Sequence, residues 1–283
     1  MSAPTVRRRR LGASLRGLRE SAGLKLEDVE TKTGFTVSKV SRMELARVAL
    51  KPGDVGRLLD LYKVEPGPKR DSFLQLAKEG GRRGWWQSYS EVLSPHYEDL
   101  ISLESEASTV RTFEALLIPG LFQTSAYARS VITAVRPPTS AERVNALVEV
   151  RMARQSVLTR PEPPEVWAII HEAALKPRIS GSTLMHDQLQ RLIDLAVLPH
   201  VNIQVMAESA PPHPGVAGTF TMLGFPERAD LDVVLVENIF NSMYVEDLAE
   251  VEAYGSAFER LRAEALPFAE SLEVITQQKD KAK

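Results

Sequence analysis

The sequence predicts an all-α N-terminal helix-turn-helix domain followed by a larger α+β C-terminal domain built on a mixed α/β sheet. Three observations carry this prediction. Residues 25–44 read as a helix, a Gly turn and a second helix. Beyond residue 95 the helical period gives way to short apolar runs of strand length interleaved with helices. Charge divides along the same line: residues 1–70 hold 16 Lys or Arg against 8 Asp or Glu, a net of +8, and the other 213 carry 19 against 29, a net of −10. The corresponding boundaries are 1–68 for the first domain, 69–94 for a linker and 95–283 for the second.

Within the first domain, Leu11, Leu15, Leu18 and Ala22 recur at helical spacing and stop at Gly23, which predicts an opening helix. In the next helix Leu26 and Val29 supply the buried stripe, and Gly34 permits a left-handed turn. Thr36 is placed to cap the following helix, whose Val40 and Met43 face inward. Val37, Ser38, Lys39, Ser41 and Arg42 are left outward, a set of hydroxyls and cations suited to base edges and phosphates in a major groove. Pro52 opens a further helix with Val55, Leu58, Leu59 and Tyr62 on its inner face. A basic head of this kind gathers at double-stranded DNA by displacing condensed counterions, whereas the acidic body discourages wrapping by the whole protein.

Leu18-Arg19-Glu20-Ser21-Ala22-Gly23-Leu24, Gly34-Phe35-Thr36 and Val40-Ser41-Arg42-Met43-Glu44 resemble the XRE family, regulators of the lambda-repressor and Cro type. The resemblance implies an ion pair between Arg19 and Glu44 tying the first helix to the recognition helix. It also implies that Thr36, Ser38, Lys39 and Arg42 approach DNA. Family members usually carry a small residue at the position of Glu30, a larger apolar one at Thr33 and often Gly near Ala46. Glu30 and Thr33 are therefore expected to loosen the packing of the two helices, and Leu45-Ala46-Arg47 to extend the second. A homodimer is the geometric expectation, because one short module covers little DNA and two-fold proteins match pseudo-palindromic sites. The Arg7–Arg10 run has two readings, a solvated leader or an arm contacting phosphate or minor groove.

Glu65-Pro66-Gly67-Pro68 breaks the helical pattern, residues 70–79 look helical, and Gly80-Gly81-Arg82-Arg83-Gly84 reads as a loop. That loop lacks the Gly-Lys-Ser/Thr ending and flanking strand of a P-loop. Trp85 and Trp86 are read as anchors docking the linker. Strands are expected at 110–118, 166–170, 201–206, 219–224, 232–237 and 242–246. Helices are expected from 125, over 140–159 with Val144, Leu147 and Val148 inward, over 183–197, and over 247–265.

Ile118-Pro119-Gly120-Leu121-Phe122-Gln123-Thr124, Tyr127-Ala128-Arg129, Arg151-Met152-Ala153-Arg154-Gln155, Glu172-Ala173-Ala174-Leu175, Met185-His186-Asp187-Gln188-Leu189 and His213-Pro214-Gly215 resemble the C-terminal domain of antitoxin-like XRE regulators of actinomycetes. The resemblance implies a small protein partner, typically encoded next door, that binds the regulator and changes its hold on DNA.

Catalytic machinery is hard to find. His171-Glu172 is followed by Ala173-Ala174-Leu175, so the second ligand of a helical zinc site is missing. No Gly-x-Ser-x-Gly elbow occurs, and His96, His171, His186, His200 and His213 lack metal-ligand spacing. His171 reads as a satisfied residue at a sheet end, and His213 as part of a turn made by its Pro and Gly neighbours. Arg151, Arg154 and Gln155 read as a solvated helix face, with the clasping of an acidic group as the alternative. No catalytic residue, metal or cofactor is expected. Zero Cys in 283 residues excludes disulfides and thiolate sites and fits a reducing cytoplasm. Arg16, Arg19 and Glu20 interrupt the apolar run that a signal peptide would need, and no stretch is apolar enough to span a bilayer.

Overall fold

A computed structural model describes residues 5–79, 84–135, 140–176, 183–225, 232–237 and 242–282. The chain divides into two compact units, Met1–Gln87 and Ser88–Lys283.

In the first unit, helix α1 (Val6–Ser21) begins earlier than the Leu11 stripe suggests, because the Thr5 side chain caps it by accepting from the Arg8 amide. The Arg7–Arg10 run therefore forms the first turns of α1. Arg7 and Arg10 are buried, and Arg8 and Arg9 half-buried, so the run is neither a solvated leader nor a free arm. Helix α2 (Leu26–Thr33) ends at Gly34, whose φ of 71° and ψ of 9° place it in the left-handed region. Helix α3 (Val37–Glu44) follows at once, with Thr36 Oγ1 accepting from the Lys39 amide at 3.2 Å. Helix α4 (Pro52–Leu61) starts on its proline and buries Val55, Leu58 and Leu59 completely. Helix α5 (Pro68–Glu79) packs on α1 and α4, so residues 68–79 belong to the helical unit.

Two expectations drawn from family departures are corrected. Helix α3 is not extended through Leu45-Ala46-Arg47: it stops at Glu44, and Ala46, 3% exposed, adopts φ 55°, the left-handed conformation that Gly would fill without strain. Glu30 points to solvent, and the Thr33 hydroxyl is absorbed locally, donating to the Val29 carbonyl and accepting from the Phe35 amide. Neither residue intrudes between α2 and α3. Helices α1 and α3 meet closely at Gly12, where a Cβ would lie 2.5 Å from the Glu44 carbonyl oxygen. Only a residue without a side chain lets α1 cross the end of α3 here.

The second unit holds, among the described residues, a six-stranded sheet of order β3-β2-β1-β4-β5-β6. The strands are β1 (Thr109–Glu114), β2 (Glu165–His171), β3 (Val201–Met206), β4 (Phe220–Gly224), β5 (Val233–Glu237) and β6 (Ser242–Val245). β1, β2 and β3 are parallel, joined through α7 (Ser125–Val135) and α8 (Ala141–Arg154), then through α9 (Leu184–Leu195). β4, β5 and β6 form an antiparallel meander on β1, so the sheet is mixed, as an α+β unit requires. Period-two alternation puts Phe113, Ile169, Met206, Phe220, Met222 and Val234 on one face. Val251, Phe258 and Leu261 of α10 (Leu248–Glu264) cover them.

The expected strand 110–118 stops at Glu114, since β4 offers no pairing partner beyond Phe220 opposite Phe113. The expected helix 140–159 tightens into a 3₁₀ turn at Gln155–Thr159. Two helices had not been expected, α6 (Pro95–Glu104) and α11 (Phe268–Lys281). The α10–α11 connection seals the β3 edge: the Leu266 amide donates to the Val205 carbonyl, and the fully buried Ser271 hydroxyl accepts from the Val205 amide, each at 2.9 Å.

Candidate nucleic-acid interface

Local chemistry positions α3. Its start is fixed by Gly34 and Thr36, and its inner face by Val40 and Met43, 0% and 1% exposed. Its end is held by a buried, two-point ion pair. Arg19 donates from Nε to Glu44 Oε1 at 2.7 Å and from Nη2 to Oε2 at 3.0 Å, while Nη1 donates to the Leu24 carbonyl at 2.9 Å. The hydrogen bond to Glu44 is the main reason that the Arg19 guanidinium holds its proton more tightly than usual.

This frame presents one face of α3 outward. Thr36, Ser38 and Arg42 are exposed, whereas Val37, Lys39 and Ser41 are half-buried. Ser38 and Arg42 stand one turn apart, and Arg42 Nε donates back to the Ser38 carbonyl at 3.1 Å. That bond directs the guanidinium along the helix and leaves Nη1 and Nη2 as the donor pair suited to a guanine edge. Lys39 is placed differently. Its Nζ lies 2.9 Å from Asp54 Oδ2 on α4 and 3.9 Å from the centroid of the Phe35 ring. Trp85 and Trp86 contact each other edge-to-face at 6.0 Å, with Trp85 41% exposed. Of the Gly-rich loop before them, residues 80–83 lie outside the described residues.

Three of the segments singled out in the second unit, 118–127, 151–155 and 185–189, meet in one hydrogen-bond network beyond the carboxyl end of β1. Gln123 Nε2 donates to the Ile118 carbonyl, the Tyr127 hydroxyl accepts from the Ile118 amide, and Gln188 bridges the Thr124 amide and the Phe122 carbonyl. Gln155 Nε2 donates to the carbonyls of Gly120 and Gln123. The solvated-face reading of Arg151, Arg154 and Gln155 is corrected here, because all three turn inward. Arg154 clasps the buried Glu104 at two points, 2.8 and 2.7 Å, and Arg151 Nη1 donates to Gln123 Oε1 at 2.8 Å. Both arginines also donate to the Tyr97 hydroxyl, at 3.0 and 2.6 Å. Burial alone would raise the Tyr97 phenol, but Arg154 and Arg151 together bring it below its ordinary value. Beside them, burial pushes the Glu114 carboxyl up to about 8, with repulsion from Glu237 adding to the effect. His171 and His213 serve as turn caps, each accepting through Nδ1, from the Ala173 and Gly215 amides respectively.

The sequence profile of a helix-turn-helix domain family matches residues 10–73, and that of a domain of unknown function, DUF5753, matches residues 97–277, more than half of the chain. The chain belongs to the DUF5753 family. No curated protein and no solved structure matches it. In this DUF5753 protein the helix-turn-helix domain indicates a DNA-binding regulator. Among the described residues no helix is long and apolar enough to cross a membrane.

Sequence reasoning passed over Gly12, Asp54, Tyr97, Glu104 and Glu114. Each acts across the fold and leaves no local mark: Tyr97 and Glu104 lie on an unexpected helix, and Asp54 reads as an ordinary first-turn acid of α4. Only Ser94-Pro95, an N-cap followed by a first-turn proline, would have signalled α6.

Proposed function

We propose that the protein is a sequence-specific, DNA-binding transcriptional regulator of the XRE type that binds as a homodimer. The observation that carries this reading is the N-capped helix α3, which turns Ser38 and Arg42 outward from a unit of net positive charge. In this reading Thr36, Val37, Ser38, Lys39, Ser41 and Arg42 line the major groove, and Arg19 and Glu44 set the angle at which α3 enters it. Two-fold pairing would match half-sites about one helical turn apart.

The second unit, in this proposal, receives the signal from a small protein partner and does not read DNA itself. Support comes from its acidic balance and from the resemblance of segments 118–129, 151–155, 172–175, 185–189 and 213–215 to antitoxin-like regulators. A partner acts on DNA binding only through different affinities for competent and incompetent states, so operator DNA must change the partner's affinity by the same factor. Calorimetric titration of the small protein encoded beside this chain into the full-length protein, with and without operator, tests this coupling. Equal affinities in the two titrations would overturn it. One observation favours a small-molecule effector instead: burial and the neighbouring Glu237 push the Glu114 carboxyl up to about 8, the perturbed kind of group that ligand sites collect. Thermal stabilisation by a metabolite rather than by the small protein would move the proposal to that reading.

A further inference from the structure

We propose that Asp54 is a built-in competitor for the DNA phosphate that Lys39 would hold, and so lowers the protein's affinity for DNA of arbitrary sequence. The inference rests on the DNA-binding reading of α3 and assigns a role to a residue outside it. Lys39 belongs to the outward set of the recognition helix, yet its ammonium is engaged from α4 by Asp54 Oδ2 at 2.9 Å. Phe35 anchors the arrangement. Its buried ring lies 3.9 Å from Lys39 Nζ and 4.4 Å from the guanidinium carbon of Arg57, which itself donates to the Thr33 carbonyl at the end of α2. The turn of the motif thus holds two cations on one aromatic ring, with a carboxylate supplied from α4.

Both members of the pair stay in contact with solvent, at 37% and 24% side-chain exposure. An ion pair at that depth is weak and exchanges readily. A phosphate arriving at α3 must displace Asp54 from Lys39 and then leaves that carboxylate near the DNA backbone, so each non-specific encounter loses part of the Lys39 contribution. Where Ser38 and Arg42 match the base edges, their contacts offset the loss. The competitor thus lowers affinity for every sequence through Lys39, and unmatched DNA, which lacks the base contacts of Ser38 and Arg42, is left weakly held.

The opposite role is physically available, in which Asp54 positions Lys39 for phosphate. The two roles differ in sign. Fluorescence anisotropy of the full-length protein with a random-sequence 30-base-pair duplex, across a salt series, separates them. Asp54→Asn is expected to tighten binding about two- to fivefold, the range of an exposed ion pair. It should also steepen the slope of log K against log salt by up to about one unit. In a Lys39→Ala background the same substitution should give no gain, and Glu30→Gln, which removes an exposed charge from α2, should give less. Asp54→Ser, which keeps a polar group in the first turn of α4, provides a second variant should Asn disturb folding, as checked by circular dichroism. Weaker binding by Asp54→Asn, a gain that survives Lys39→Ala, or an equal gain from Glu30→Gln would each overturn the proposal. No binding by any form, wild type included, would instead overturn the DNA-binding reading beneath it.

Discussion

Removing the Arg19 guanidinium should unfasten α3 from α1 and cost far more than a surface ion pair. The pair is nearly dry, with side chains 10% and 5% exposed, and Arg19 makes three short hydrogen bonds, two to Glu44 and one to the Leu24 carbonyl. Arg19→Ala leaves a carboxylate buried without its partner, and Glu44→Ala leaves a buried guanidinium, so each should cost about 3–5 kcal/mol. The double substitution removes both charges and should cost less than the sum, with a coupling of about 1–3 kcal/mol. Arg19→Lys keeps the charge but loses the fork and should fall between wild type and Arg19→Ala. Because the chain has two units, global unfolding is a poor gauge. Hydrogen exchange of amides in α1 and α3, followed by mass spectrometry on the full-length protein, reads the opening of this unit directly. Strictly additive losses in the double-mutant cycle would show that the two side chains do not cooperate and would refute the reasoning.

Other consequences follow from single positions. Gly12→Ala places a methyl group 2.5 Å from the Glu44 carbonyl oxygen and 2.8 Å from that of Met43, so it should cost about 1–3 kcal/mol, visible in the same exchange experiment. Lys63, exposed and in the left-handed region at φ 56°, should gain about 1 kcal/mol of stability as Lys63→Gly, read from the same hydrogen exchange of the first unit. Glu114 binds its proton more tightly folded, at about 8 against an ordinary 4.5, so stability should fall as pH rises through that window. Glu114→Gln should remove this dependence, stabilising the second unit above pH about 8 and leaving it near wild type at pH about 4, as read from hydrogen exchange of β1 and its neighbours. If Arg42 meets a base edge, Arg42→Ala should cost about 1–3 kcal/mol of specific binding and relax preference at one base pair.

The helix-turn-helix was legible because its signals are local. Gly34 and Thr36 announce a left-handed turn and a cap within three residues, and Val40 and Met43 repeat at a helical interval. The strands of the second unit were legible for the same reason, each being an apolar run bounded by turn residues. Features decided by distant contacts were not. The Arg7–Arg10 run has the composition of a solvated tail, but the Thr5 cap draws it into α1 and the fold buries two of its members. Arg151, Arg154 and Gln155 have the spacing of an exposed face, and only the arrival of Glu104, Tyr97 and the 118–124 loop turns it into an interior one. Helix α11 was missed because its stripe is thin: Ser271, Ile275 and Gln278 are its buried residues, and a polar Ser sealing a strand edge resembles a polar Ser in solvent.

Selection of random duplex fragments by the full-length protein, followed by sequencing of those retained, tests most directly the claim that α3 reads DNA. The account predicts enrichment of one sequence class, with Arg42→Ala losing preference at one position of it while Asp54→Asn retains more unrelated sequence. Retained fragments indistinguishable from the input, or the same class recovered with full preference by Arg42→Ala, would contradict it.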